Sequence, residues 1–483
     1  MNQTLWGKRG GALALQAVAM ALLGMGGAHA VVLKPTVESV EVVATDAGLG
    51  NLSSVPNSWG GHQTRITRSS DGTVRILYLR DRADSYTEWR LMKRDPVSAV
   101  WSLERSGTST DDVFLLRDPR DDRAYVVAFP DGTPSIYASP TFAPVKIPGA
   151  WQALPATARH YGGAGIGVAD ATLCVKASHE FPVLPITGTT NTEYACGQYS
   201  PTTKAWTWSE LLTRNIGLRH GYDIIIPNPS KLAAGMYGYA QRDLYKDAAG
   251  IPALDPSAFP YVFNGVRRYK GNSRGTNVAN TFSSGEVVPP LVKNSLVVSA
   301  PPQLRLLDAM IDSKGRKIIT YYQDDPLQPT LRSRKIVVLD ADAADTTLAN
   351  INGGTTLPPY GGSRVVEDPK GRLWVLWTAA GSAGPNVRVF PLTETPKTAT
   401  TPAQFALGAY TELGAAFMPY SIDGYPMVAS TRGGNANSYY IDLLYDACHL
   451  TYQKGISFNT SLCYDRTKGE KQTVIYGRIR LPD

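Results

Sequence analysis

Apolar and polar residues alternate with a period of two over most of the chain, the period of strands with one buried face. The clearest example is 59–79, WGGHQTRITRSSDGTVRILYL, in which the alternating runs 62–68 and 73–79 flank Ser69-Ser70-Asp71-Gly72. An Asp-Gly pair between two such runs predicts a β-hairpin. The phrase recurs at 111–129 (DDVFLLRDPRDDRAYVVAF), 304–322 (LRLLDAMIDSKGRKIITYY) and 362–377 (GSRVVEDPKGRLWVLW). Each is an apolar strand, a polar turn and a second apolar strand. Almost no window sustains an apolar 3.6-residue period over three turns, which argues against a helical bundle or an α/β fold. The most helix-like piece is 340–350, DADAADTTLAN.

A repeated hairpin implies a repeated structural unit. The first unit spans 59–105, adding strands at 88–93 and 100–103 around the turn Arg94-Asp95-Pro96. The second runs from 112 to 145, and the third collects 162, 172–177, 193–199 and 206–210. The fourth takes 222–226, 235–240 and 261–269, the fifth 304–322 and 335–339, and the sixth 362–377 and 387–391. The last takes 418–430, 439–445 and 472–481. Units of about 45 to 60 residues with four short strands are propeller blades. The expectation is therefore an all-β chain forming a single β-propeller over 31–483. Seven blades are expected, six or eight being within the error of the boundaries. Pairing of the N-terminal strand (31–45) with the C-terminal strand (473–481) would hide both edges. The alternative is two all-β domains joined through 273–302, the one long loop-like stretch, which holds Gly275, Pro289 and Pro290.

Composition fits this picture: 483 residues, 43% hydrophobic and 18% charged, with 34 Pro and 45 Gly for turns. Residues 1–30 read as a secretory signal peptide, with Lys8 and Arg9, an apolar run over 11–23, and Ala28-His29-Ala30 as the cleavage site. The run is too short for a membrane span, and a secreted or periplasmic location follows. Removing the leader takes two cations and no acids, so the formal charge falls from +7 to +5. That mild excess suits an acidic glycan and is too diffuse to track nucleic acid. In an oxidising compartment the four cysteines are expected as disulfides. Three pairings are possible, and the local ones, Cys174–Cys196 and Cys448–Cys463, would each staple a loop within one blade. A metal site from Cys174, His179 and Cys196 matches no zinc spacing, and neither metal nor cofactor is expected.

The opening stretch continues as HQTRITRSSDGTVRILYLRDR, with Arg65-Ile66, then Asp71-Gly72, then the acid-bearing loop Asp81 to Asp84. This resembles the first blade of sialidase-like (BNR-repeat, Asp-box) propellers, with Thr67 in place of the family's proline. The Asp-box turn is degenerate here: SPTTKAW ending at Trp206 keeps a serine and a tryptophan, and 94–101 keeps an aspartate and a tryptophan. The resemblance implies that Arg65 is the first of three arginines gripping a substrate carboxylate, a fork geometry that lysine cannot supply. Arg242, Arg364 and Arg432 are candidates for the other two. It also implies an acid/base in Asp84 or Asp81 and a tyrosine nucleophile, for which Tyr439 is the candidate.

A second constellation is Arg219-His220-Gly221-Tyr222-Asp223, followed by Tyr239-Ala240-Gln241-Arg242-Asp243. It holds the residue types a uronate polysaccharide lyase needs: an arginine on the carboxylate, a histidine or tyrosine base, and a tyrosine acid. Of the histidines beyond the leader, His62, His160 and His220 each begin a unit, so one end of the channel could collect them. There is no G-x-S-x-G elbow, H-E-x-x-H, Walker loop or dinucleotide fingerprint. The 25 Tyr and 9 Trp suit sugar stacking and blade cores alike. The leading expectation is a secreted carbohydrate-active enzyme on an acidic oligo- or polysaccharide, either a sialidase-like glycoside hydrolase or a lyase. The alternative is a non-catalytic propeller that binds glycan or protein in the cell envelope.

Overall fold

The computed structural model describes residues 34–48, 62–82, 84, 86–152, 159–180, 190–215, 220–227, 236–243, 263–271, 286–292, 304–324, 332–341, 346–356, 362–379, 386–396, 398, 401, 403–418, 420–449 and 472–483. The chain is all-β, and the described residues form seven antiparallel sheets with a single short 3₁₀ turn, Gly414–Phe417. Strand β1 (Thr36–Ala47) waits for a partner at the far end of the chain. The first sheet is β2 (Ile66–Arg68), β3 (Val74–Asp81), β4 (Thr87–Arg94) and β5 (Trp101–Ser109). The second is β6 (Phe114–Arg117), β7 (Ala124–Ala128), β8 (Ser135–Ala138) and β9 (Ala143–Lys146). The third is β10 (Arg159–Ile166), β11 (Leu173–Glu180), β12 (Thr190–Ser200) and β13 (Ala205–Trp208), with β14 (Leu212–Asn215) also on β12.

The fourth sheet is β15 (His220–Pro227), β16 (Met236–Asp243), β17 (Phe263–Gly271) and β18 (Glu286–Val292). The fifth is β19 (Leu304–Ile311), β20 (Lys317–Asp324), β21 (Arg332–Leu339) and β22 (Thr347–Thr356). The sixth is β23 (Ser363–Glu367), β24 (Leu373–Ala379), β25 (Asn386–Thr395) and β26 (Gln404–Leu407), with β27 (Thr411–Glu412) on β25. The last sheet joins the two ends of the chain. Its order is β1, β30 (Gln472–Arg480), β29 (Tyr440–His449), β28 (Tyr420–Val428).

All four hairpin phrases are hairpins, and the turns of the last three share one device. Asp118, Asp312 and Asp368, each at most 1% exposed, follow the first strand and fold their carboxylates back onto the turn. Asp312 accepts from the Lys314 and Arg316 amides at 3.0 and 2.8 Å, and Asp368 from Lys370 and Arg372 at 2.9 and 3.0 Å. Gly315 and Gly371 take the left-handed conformation that such turns need.

Two expectations are corrected. The stretch 286–292, read as part of a loop or linker, is β18, paired to β17 at the sheet edge. An edge strand tolerates Pro289 and Pro290 because only one side of its ladder needs amide donors. The helix-like stretch 340–350 is strand over 347–350, at the start of β22. Residues 1–30 lie outside the described residues, and among the described residues no helix is long and apolar enough to cross a membrane.

The first strands of successive sheets lie side by side: β2 on β6, β6 on β10, β10 on β15, β15 on β19, β19 on β23, and β23 on β28, with β2 also against β29. Apolar clusters fill the spaces between neighbouring sheets. Phe114, Leu116 and Tyr125 of the second sheet meet Ile166, Leu173 and Val175 of the third. Ile66, Ile76 and Tyr78 of the first meet Met427, Leu444 and Tyr476 of the last. The ends of β15, β19 and β23 line one cavity, and the segments leading into β2 and β6 meet the start of β15, so the molecule has a strand-start face and a strand-end face.

The fully buried Ile475 of β30 lies in the apolar layer between the sixth and last sheets. Ile475→Ala is expected to lower the unfolding free energy by about 2 to 5 kcal/mol in a urea titration. A loss below about 1 kcal/mol would show that the joined termini contribute little to stability.

Candidate functional site

On the strand-start face, segments from three sheets bring together a polar cluster. His62 and Gln63 precede β2, and Asp111 and Asp112 lead into β6. Tyr222 belongs to β15. His62 is 1% exposed; its Nε2 lies 2.9 Å from Asp112 Oδ2, and Gln63 Nε2 donates to Asp112 Oδ1 at 3.1 Å. With Asp112 accepting, Nε2 carries the hydrogen and Nδ1 the lone pair. Among the described residues His62 Nδ1 has no hydrogen-bond partner. The Tyr222 ring lies 5.3 Å from the His62 ring, centroid to centroid.

Tyr222 is held by a β-bulge: the β15–β16 register jumps between Gly221 and Ile224, and Tyr222 has φ +61°. A tyrosine there costs on the order of 1 to 3 kcal/mol, so the surrounding structure fixes its position. Next to it, Asp223 forms a fully buried ion pair with Lys176 of β11. Burial pulls the Lys176 amine down, and Asp223 opposes that shift. Asp111 is part-buried, and its Oδ1 accepts from the Asp112 amide at 2.6 Å. Desolvation first, then the like charge of Asp112, hold the Asp111 carboxyl well above the usual range.

The expected arginines lie deeper. Arg65 is fully buried and donates from Nε to Val113 O at 3.1 Å; burial pulls its pKa down to about 10 against the charges of Asp112 and Asp446. Arg364 donates to Pro426 O at 2.6 Å and Leu307 O at 2.5 Å, and lies 3.7 Å from Asp308. Arg432, beyond the end of β28, reaches His62 O and Gln63 O at 3.5 and 3.3 Å and Asp308 at 3.5 Å. All three guanidinium groups thus engage main-chain carbonyls where the sheets meet.

His220 opens β15 and His160 is the second residue of β10, the same end as His62, and His220 is the register partner of Arg242. Arg219 lies outside the described residues. Asp81 ends β3, and Asp84 follows in the turn to β4. There Asp84 is exposed and locked to Arg82, with Nε to Oδ1 at 2.9 Å and Nη2 to Oδ2 at 2.7 Å. Its carboxyl is held below the ordinary range, chiefly by Arg82. Tyr439 lies at the other end of the last sheet, its carbonyl accepting from the Leu481 amide at 2.7 Å. Cys174 and Cys196 face each other across β11 and β12 and are disulfide-bonded, which removes them from any metal site. The Cys448–Cys463 pair falls outside the described residues.

The strand-end face carries a cavity of about 250 Å³ lined by Asp312, Glu367, Arg432, Asn435 and Asn437, among others. Its polar walls are largely engaged with one another: Glu367 accepts from the Ser313 amide at 2.9 Å, from the Ser313 hydroxyl, and from Asn437 Nδ2 at 3.0 Å. Sequence reading missed Asp112, Asp111 and Lys176. The available signal for the first two was an acidic doublet directly ahead of the all-apolar run 113–116.

No family model and no curated protein matches the chain. Among solved structures it is similar to the polysaccharide lyase Uly1, at 11% identity over 93% of this chain and 100% of that one, with a TM-score of 0.46. An ulvan lyase of polysaccharide lyase family PL25, solved with -[GlcA(1-4)Rha3S]-, matches at 9% identity over 85% and 93%, with a TM-score of 0.47. An α-L-arabinanase from Penicillium chrysogenum, complexed with arabinobiose, matches at 9% identity over 91% and 98%, with a TM-score of 0.40.

The raised Asp111 carboxyl sets a pH dependence. A carboxyl whose folded pKa lies above its unfolded value, about 3.9, contributes stability that is complete below that value and lost as pH rises through the folded one. Asp111→Asn removes this loss. The variant is expected to match the parent near pH 3 and to exceed its thermal midpoint at pH 7. Parallel midpoint-against-pH curves for the two proteins would contradict the assignment.

Proposed function

We propose that the chain is a secreted or periplasmic carbohydrate-active enzyme that cleaves an acidic polysaccharide by elimination at a uronate. Its frame is read as a seven-bladed β-propeller closed by its terminal strands. The cyclic order of sheet contacts and the β1–β30 pairing support that frame. The observation that carries the chemistry is the His62–Asp112 pair beneath Tyr222 on the strand-start face.

In this reading His62 Nδ1 removes the C5 proton, with Asp112 fixing the tautomer and balancing the imidazolium that forms. The C5–H electrons form the C4=C5 double bond as the C4–O4 bond breaks. The Tyr222 hydroxyl protonates the departing O4. The uronate carboxylate needs a cation to stabilise the enolate-like transition state, and Arg242, in register with His220, is the proposed group, with His160 near the start of β10. Elimination is preferred to sialidase-like hydrolysis because Asp84 is exposed and engaged by Arg82, with Tyr439 at the opposite end of its sheet. One observation favours the non-catalytic alternative: Arg65, Arg364 and Arg432 already engage main-chain carbonyls.

His62→Ala and Tyr222→Phe are each expected to slow cleavage about 100-fold or more. The measurement follows unsaturated-uronate absorbance and new reducing ends on a panel of uronate-containing polysaccharides. Reducing ends without the unsaturated product would establish hydrolysis instead. Binding without either product would establish the scaffold.

A further inference from the structure

A second site lies on the strand-start face between the fifth and sixth sheets. Arg334 of β21 is the register partner of Tyr322 and is 8% exposed. Its Nη2 donates to Thr378 O at 3.1 Å, and its guanidinium carbon lies 5.0 Å from the centroid of the Trp377 ring. Arg94, Arg117, Arg316, Arg364 and Arg432 are buried arginines that each face a carboxylate. Arg334 has none within ion-pair distance among the described residues; the charge that acts on it is Arg388, of like sign. Burial and then that repulsion pull its pKa down to about 10.

The surroundings add a second unmet need. Trp377 is 4% exposed, and its Nε1 has no acceptor among the described residues. The indole is fixed because it fills the space a Cβ at Gly353 would occupy. At the rim, Arg388 stacks on Tyr410 at 4.6 Å while its Nε donates to Glu412 Oε2 at 2.7 Å, so its charge is already matched, and Tyr410 is 49% exposed. A buried guanidinium without a counter-charge is unfavourable by itself and is relieved by an oxyanion that matches its fork. An exposed tyrosine face beside it suits a sugar ring.

We propose that Arg334, with Trp377 Nε1 and the exposed Tyr410 face at the rim, forms an oxyanion subsite that takes a carboxylate or sulfate ester of an acidic glycan. The glycan part rests on the function proposed above, whereas the oxyanion part stands on a cation without a counter-charge and a donor without an acceptor among the described residues. The subsite lies in other sheets than the His62 cluster, so it would hold a sugar away from the scissile bond.

The test is calorimetric titration of the full mature chain at low and high salt. The probes are inorganic sulfate, an unsulfated polyuronate, a sulfated glycan without uronate, and a neutral glucan. The parent is expected to bind at least one oxyanionic glycan, with affinity falling as salt rises, and to ignore the glucan. Arg334→Gln is expected to weaken that binding about tenfold or more, and Arg334→Lys by less, since charge remains without the fork. The two glycan arms separate carboxylate from sulfate ester. Should Arg334→Gln fail to fold, Trp377→Phe, which removes one N–H, is expected to weaken the same binding several-fold. A parent that binds no oxyanion, or a folded Arg334→Gln that binds like the parent, overturns the subsite. Binding that needs Arg334 in a chain yielding no unsaturated uronate removes the elimination reading and leaves the subsite. Normal cleavage with unchanged binding does the reverse.

Discussion

The first strand of each sheet has one edge paired within its own sheet and the other turned toward the first strands of its neighbours. A buried amide or carbonyl on such an edge costs free energy unless a partner reaches it. The chain meets this need with backbone and guanidinium donors. The Leu115 amide reaches Thr64 O at 2.6 Å. The segment after β28 acts as an inserted strand, Arg432 O accepting from the Ile166 amide and Gly433 O from the Arg117 amide, both at 2.8 Å. Where no strand fits, Arg65, Arg364 and Arg432 supply fork-shaped donors, and Asp308 Oδ2 accepts from the Val365 amide at 3.0 Å. Cations sit deep in the molecule because carbonyl edges and Asp308, Asp112 and Asp446 surround them.

That constraint explains why the arginines misled sequence reading about depth. An arginine ahead of an alternating run looks the same whether its guanidinium meets a ligand or the next sheet's carbonyls. Arg364 touches Leu307 and Pro426, 57 and 62 residues away, and Arg432 touches His62, 370 residues away. Such distances leave no local signature. The hairpins were legible for the opposite reason. Their turn chemistry lies within five residues, as in Asp312 to Arg316, and a period of two fixes which face is buried.

The candidate site was legible in part. His62 and Tyr222 were singled out as residue types at the starts of units, but the Asp112 that orients His62 lies 50 residues on. Tyr222 owes its position to a bulge, which periodicity cannot announce. The terminal pairing was legible because two strand-like ends without neighbours have one economical solution in a sheet protein. The strand β18 was not, because Pro289 and Pro290 read as a loop until the edge position is known.

The two faces of the molecule carry different groups. On the strand-end face, Asp118, Asp312 and Asp368 satisfy their turn amides and Glu367 binds Ser313 and Asn437 across the cavity, while Asn437 Oδ1 and Ser430 Oγ have no hydrogen-bond partner among the described residues. The strand-start face holds a histidine nitrogen and an indole N–H without partners among the described residues, a tyrosine held at positive φ inside a strand, and an arginine lacking a counter-charge among the described residues. Strain and unmet polar groups persist in a folded protein only where the rest of the structure over-determines them. Here the apolar layers between sheets and the arginine-bridged edges provide that surplus. That packing is what allows His62, Tyr222 and Arg334 to be held in place at the strand-start end.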